Sequence, residues 1–311
     1  MKKIIALILV LSLSLFAFAA CGGKNKGENN EDQGTTQNPE NNNNNQTPAE
    51  KTYSLALAVD TTVGTDNKVS NYVAVLVLDE ANKIVAARID CVETTPALNE
   101  EGTAIADVAS VLSKVALGDS YSMTAGSFAK QTKAFEDAIV GKTADEVANL
   151  DMSLVAGCTM PYSPFSFKAV VAKAFASTNK TTFKTSESFT LGVAADMSIS
   201  GGKVSTYYAG TVVIGGKNTA SIIDCNEISF TVADGAITAG AYNGTKVELG
   251  DAYAMTSGSF AKQTEAFENA IVGKTADEIT NLDMSLVAGC TMPYSPFSFK
   301  AVVVNAITNA R

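Results

Sequence analysis

The stretch Gly118–Ala172, GDSYSMTAGSFAKQTKAFEDAIVGKTADEVANLDMSLVAGCTMPYSPFSFKAVVA, returns 132 residues later as Gly250–Val304 with eight differences. A repeat of this length exceeds the ~20–50-residue unit of a solenoid and is large enough to be most of a small domain. Any site the protein uses is therefore expected twice, once in each copy.

Working outward, the residues ahead of the repeat also correspond. Tyr53-Ser-Leu-Ala-Leu-Ala-Val-Asp60 answers Phe189-Thr-Leu-Gly-Val-Ala-Ala-Asp196, and Ile89-Asp90-Cys91 answers Ile223-Asp224-Cys225. The pattern gives two tandem homologous domains, Thr52–Asn179 and Ser188–Arg311, with Lys180–Glu187 as a short polar linker. The front of each copy reads as antiparallel sheet. Tyr72–Leu78 and Ile84–Val92 are β-rich runs about the turn Asp79–Lys83. Tyr207–Ile214 and Ala220–Asp224 flank Gly215-Gly216-Lys217, and Glu227–Val232 and Ala236–Ala241 flank the Asp234-Gly235 turn.

The rear of each copy reads as helix. Ser127 can cap a helix with Phe128, Phe135, Ala138 and Ile139 on one face, and Gly141 stands where a C′ glycine belongs. Thr143-Ala-Asp-Glu146 has capping-box spacing. Ser163-Pro164 places an N-cap residue before an N1 proline, so a helix is expected over Phe165–Phe175. The class is α+β: in each domain, a small antiparallel sheet packed by helices.

The N-terminus has the form of an address label. Lys2 and Lys3 precede the apolar run Ile4–Phe18, and Phe18-Ala19-Ala20-Cys21 resembles a bacterial lipobox. Residues 1–20 are then a lipoprotein signal peptide and Cys21 the lipidated residue, with acyl chains anchoring the protein on the outer face of the cytoplasmic membrane. Residues 21–51 are too polar to bury a core and form an Asn-rich disordered tether reaching roughly 30 Å. With 32 acidic residues against 23 basic, the net charge is −9, which disfavours nucleic-acid binding. The chain has no His, which removes Ser-His-Asp and Cys-His nucleophile systems and most zinc chemistry. No metal site is expected.

The doubled loop Ala156-Gly157-Cys158-Thr159-Met160-Pro161-Tyr162, with its twin Ala288–Tyr294, is the candidate site. It runs into an expected helix N-terminus, where free N–H groups and the helix dipole favour a phosphate. Tyr162 and Phe165 are close enough in sequence to flank a ring system, and Tyr294 repeats Tyr162 in copy two.

Ala156-Gly-Cys-Thr159 followed by Met-Pro-Tyr-Ser163 and Phe-Ser-Phe-Lys-Ala resembles the Ser-Gly-Ala-Thr loop of FMN-binding domains. Such domains occur in tandem in surface lipoproteins that pass electrons outside Gram-positive cells. The resemblance implies covalent FMN on Thr159 and Thr291, attached as a phosphodiester by a flavin transferase. Gly157 and Gly289 would be the close-approach glycines, with redox proteins as partners. The chain departs from that pattern at Ala156, at Cys158 and at Ser153, where the family carries an acidic residue.

Other patterns admit bland readings. Cys91 and Cys158, and again Cys225 and Cys290, form one pair per copy; each pair suits either a disulfide or two buried thiols. Val-Gly-Lys-Thr at 140–143 and 272–275 lacks the rest of a phosphate loop. Asp119, Asp145, Glu146 and Asp151 recur in copy two and suit helix caps. No nucleophile–base pair stands out, so the chain reads as an electron carrier or binding protein rather than a hydrolase or transferase. The alternative to a flavin carrier is a surface module that binds a ligand or protein without a cofactor.

Overall fold

The structure is a computed structural model that describes residues 49–159, 166–256, 258–291 and 299–311. The signal segment, Cys21, most of the tether, Tyr162 and Tyr294 lie outside these residues. Pro48–Arg311 forms one compact unit. Copy one supplies β1 (Lys51–Val63), β2 (Val69–Leu78), β3 (Ile84–Thr94), β4 (Val108–Val111), a two-residue ladder of β5 (Ser122–Met123) and β6 (Gly126–Ser127), α1 (Phe128–Ile139), α2 (Ala144–Ala148) and α3 (Phe167–Ala176). The chain continues through β7 (Lys180–Thr185) into β8 (Thr190–Ser200), β9 (Lys203–Ile214), β10 (Lys217–Ala233) and β11 (Ala236–Ala239). It closes with β12 (Ala254–Met255), β13 (Gly258–Ser259), α4 (Phe260–Ala270), α5 (Ala276–Thr280) and α6 (Phe299–Thr308).

The class is α+β. One antiparallel sheet has the order β3-β2-β1-β7 and the other β11-β10-β9-β8-β4. The sheets pack face to face, α1–α3 cover the outside of the first, and α4–α6 cover the outside of the second. This layering explains β2, whose ten residues are all buried. Side chains alternate along a strand. Val69, Val73, Val75 and Val77 enter the core between the sheets, whereas Tyr72, Ala74, Leu76 and Leu78 enter the core under the helices. The strand β9 divides in the same way: Val204, Tyr208 and Val212 face the sheet–sheet core, and Tyr207 and Ala209 face the helices.

The two copies therefore share a core and are not separate bodies. The segment expected as a linker is mostly β7, an edge strand whose Phe183 stands opposite Tyr53 of β1. The strand β4 of copy one pairs with β8 of copy two. Gly210 allows the sheets to approach: a Cβ there would lie 2.5 Å from Cγ1 of Val75. A buried polar ladder fixes their register. Asn226 Nδ2 donates to Thr61 Oγ1 (2.8 Å) and Asn71 Oδ1 (3.0 Å), Asn71 Nδ2 donates to Thr206 Oγ1 (3.1 Å), and Tyr208 donates to Asn226 Oδ1 (3.0 Å). Every member gains a partner that offsets its desolvation.

Most local expectations are met. The hairpins about Asp79–Lys83, Gly215-Gly216 and Asp234-Gly235 all form, the last with φ of +51° and +73° at its two central residues. Thr143 and Thr275 make full capping boxes with Glu146 and Glu278. One expectation changes. The helix after the threonine loop begins at Phe167, and its cap is Ser166, whose Oγ accepts from the Ala169 N–H at 3.4 Å. Among the described residues no helix is long and apolar enough to cross a membrane.

Candidate functional site

As far as Thr159 and Thr291, the two loops adopt the same conformation. A short 3₁₀ turn capped by Asp151 delivers the chain to Gly157, whose φ of +82° is disfavoured for residues with a Cβ. Gly289 has the same φ. Cys158 and Cys290 then point inward and are buried, which turns Thr159 and Thr291 outward to exposed positions. Gln131 of α1 holds the threonine. Its Oε1 accepts from the Thr159 N–H at 2.8 Å and from the Thr159 hydroxyl at 3.1 Å. Gln263 of α4 holds Thr291 with identical distances.

One feature of this arrangement is unbalanced. Gln131 and Gln263 are fully buried, and each Nε2 lacks a hydrogen-bond partner among the described residues. A buried unsatisfied donor costs roughly 1–3 kcal/mol. The same orphan donor therefore recurs in both copies, on the glutamine that holds the hydroxyl. The exposed hydroxyl and the tight backbone turn suit a phosphate-linked group delivered from solvent.

A second constellation is also present twice, and sequence reasoning missed it. Lys114 is 7% exposed and forms a 2.8 Å ion pair with Glu93, which Lys68 also contacts at 2.8 Å. Its Nζ lies 4.8 Å from the ring centre of Tyr121 and 5.3 Å from that of Phe128. Lys246 repeats this with Glu227 at 2.9 Å, Tyr253 at 4.7 Å and Phe260 at 5.2 Å. Burial works against the charged form of Lys114, but the hydrogen bond and charge of the neighbouring Glu93 outweigh it and raise its pKa above the ordinary range. Burial also works against the Glu93 carboxylate, yet hydrogen bonds from Lys114 and Lys68 hold its pKa below the usual value. Both groups are thus kept ionised, as a fixed ion pair beneath aromatic rings. The available signal was Lys-Val-Ala-Leu-Gly-Asp119 against Lys-Val-Glu-Leu-Gly-Asp251, which carries the repeat back to the lysine. The helix α1 joins the two constellations: Phe128 lies under Lys114, and Gln131, three residues on, holds Thr159.

The remaining sequence candidates have structural roles. All four cysteines are buried. Burial raises the pKa of Cys91 and Cys225 far above the ordinary thiol value. The Gly141 N–H donates to Ile84 O and Lys142 O accepts from the Ile84 N–H, while Thr143 caps α2; this is a helix-to-hairpin joint. Asp119 pairs with Lys130 at 2.9 Å, and Asp151 accepts from the Ser153 N–H. Among the described residues no group of His, Cys, Asp and Glu side chains is arranged to hold a metal ion.

No known protein family matches the chain, and no curated protein or solved structure is significantly similar to it.

Proposed function

We propose that this is a lipid-anchored surface protein with two covalent flavin sites, one at Thr159 and one at Thr291, acting as a flavin-based electron carrier. The observation that carries this reading is the doubled threonine, exposed in each copy and held by a buried glutamine with a spare amide N–H. When bound, FMN would supply reversible electron transfer. The residues of the chain would supply the rest. Thr159 and Thr291 would offer the hydroxyl, Gln131 and Gln263 would orient it, and Gly157 and Gly289 would let the backbone turn tightly beside the phosphate. The lipobox at Cys21 and the polar tether support an extracellular, membrane-bound location. A flavin transferase and redox proteins would be its partners.

The alternative is a cofactor-free surface binding module. One observation favours it: the N-terminus of α3 lies eight residues beyond Thr159 in the chain, and the Ser166 side chain already caps it. Co-expression with an active flavin transferase separates the two. The flavin reading expects two FMN adducts on the intact protein, with one lost in Thr159→Val and the other in Thr291→Val. Unmodified mass, alongside a modified control substrate, leaves the binding module.

A further inference from the structure

The strongest departure from equivalence between the copies lies at a glutamate on α1 and α4, buried in copy one and half-buried in copy two. In copy one, Glu136 of α1 accepts from the Ile89 N–H at 2.8 Å and receives the guanidinium of Arg311 at 2.9 Å, with Arg88 at 4.0 Å. In copy two, Glu268 of α4 accepts from the Ile223 N–H at 2.7 Å in the same way. The cations are gone. Ile222 stands where Arg88 stood, and the 132-residue offset puts Asn179 in the place of Arg311. Asn179 accordingly binds Ile223 O and Asp224 in copy two.

Space takes the place of the arginines. A cleft of about 330 Å³ opens between β7, β10 and α4, lined by Asn179, Thr182, Ser221, Glu265, Glu268 and Asn269, among others. This volume is at the small end of small-molecule sites, which run ~300–1,000 Å³. Two of the eight differences within the repeat fall on its wall: Lys133 becomes Glu265, and Asp137 becomes Asn269. Both changes sit on the helix face that carries the glutamate. The first replaces a cation with an anion, and the second replaces a Lys-paired carboxylate with an amide.

We propose that this cleft is a binding site for a small organic cation with a guanidinium or primary ammonium head. Copy one shows what the glutamate accepts, since Arg311 from the end of copy two occupies the corresponding position there. A guanidinium presents five donors, and the hydroxyls, amides and carboxylates of the wall supply acceptors. The site is independent of the threonine loops and stands whether or not they carry flavin.

Burial, then the neighbouring Glu265 and Asp224, push the Glu268 carboxyl up to about 8. The other charged group lining the cleft is Lys180 on β7, whose Nζ donates to Phe175 O at 2.8 Å. A cation selects the ionised carboxylate, so binding releases a proton and strengthens from pH 6 to pH 9.

The test is calorimetric titration of the purified protein with ethylguanidinium chloride, whose charge is constant over that range, and with its neutral isostere ethylurea. Saturable binding of one ethylguanidinium, tighter at pH 9 than at pH 6 and absent for ethylurea, is expected. Glu268→Gln should weaken it at least about tenfold. Glu265→Lys should do the same, and it keeps the fold because copy one already carries lysine there. The proposal is overturned if the wild type shows no saturable binding, or if Glu265→Lys binds as tightly as the wild type.

Discussion

Arg311 places Nη2 2.9 Å from Oε2 of Glu136, a side chain only 5% exposed, so the end of copy two neutralises a buried acid of copy one. Removing one partner of a buried pair strands the other. Arg311 itself is 40% exposed and Arg88 remains nearby, which lowers the cost. Arg311→Ala should destabilise the protein by about 1–2 kcal/mol. A urea midpoint unchanged from the wild type would contradict this.

Three buried acids and one half-buried acid give stability a definite pH dependence. Burial pushes Asp90 up to about 6, Glu136 and Asp224 up to about 7, and Glu268 up to about 8. Each folded pKa exceeds its unfolded value, so the native state holds more protons between them. Their contribution is full below about pH 4 and is lost as pH rises towards 8. The free energy of unfolding should therefore fall between pH 5 and pH 8. Glu268→Gln should flatten the upper part of that slope, and a curve that rises through this window would refute the reading.

The shared core predicts one cooperative transition. The cluster between the sheets joins Leu55, Val75 and Val77 of copy one to Leu191, Val193 and Val212 of copy two. Far-ultraviolet circular dichroism and tyrosine fluorescence should give superimposable urea curves. Gly210→Val forces atoms into Val75 and should shift the whole curve by about 1–3 kcal/mol. Two resolved transitions, with only one moved by Gly210→Val, would mean that the copies unfold separately.

The legible part of this fold was local. The turns carry Gly, Asn and Asp, and the capping boxes carry Thr and Glu at the required spacing, so hairpins and short helices could be read from neighbouring residues alone. The packing of copy upon copy was hidden for a physical reason. A strand buried on both faces, such as β2, shows a nearly continuous apolar run, and its alternation between two cores leaves no polar face to mark it. The strand β7 failed in the opposite sense: KTTFKT is an edge strand with buried Phe183 and Thr185, and its exposed lysines resemble a linker. At the site, Thr159 and Gly157 were visible in the repeated loop. Gln131 was not, because 28 residues separate it from the threonine it holds. The start of α3 was misplaced by two residues because Ser163-Pro164 and Ser166 are both good starting signals.

The cysteines should behave as buried thiols. Cys91 and Cys225 have no exposed surface, and their raised pKa values leave almost no thiolate at neutral pH. Iodoacetamide at pH 8 should leave both unmodified in the native protein and label both in urea without reductant, as peptide mapping would show. Labelling that needs prior reduction would mean that they are oxidised.

The central claim is that two equivalent threonine hydroxyls receive a flavin. Intact mass of the protein co-expressed with an active flavin transferase tests it most directly. Two FMN adducts, reduced to one by Thr159→Val, to one by Thr291→Val and to none in the double variant, are the expected result. An unmodified chain beside a flavinylated control, or adducts that persist in the double variant, would contradict it.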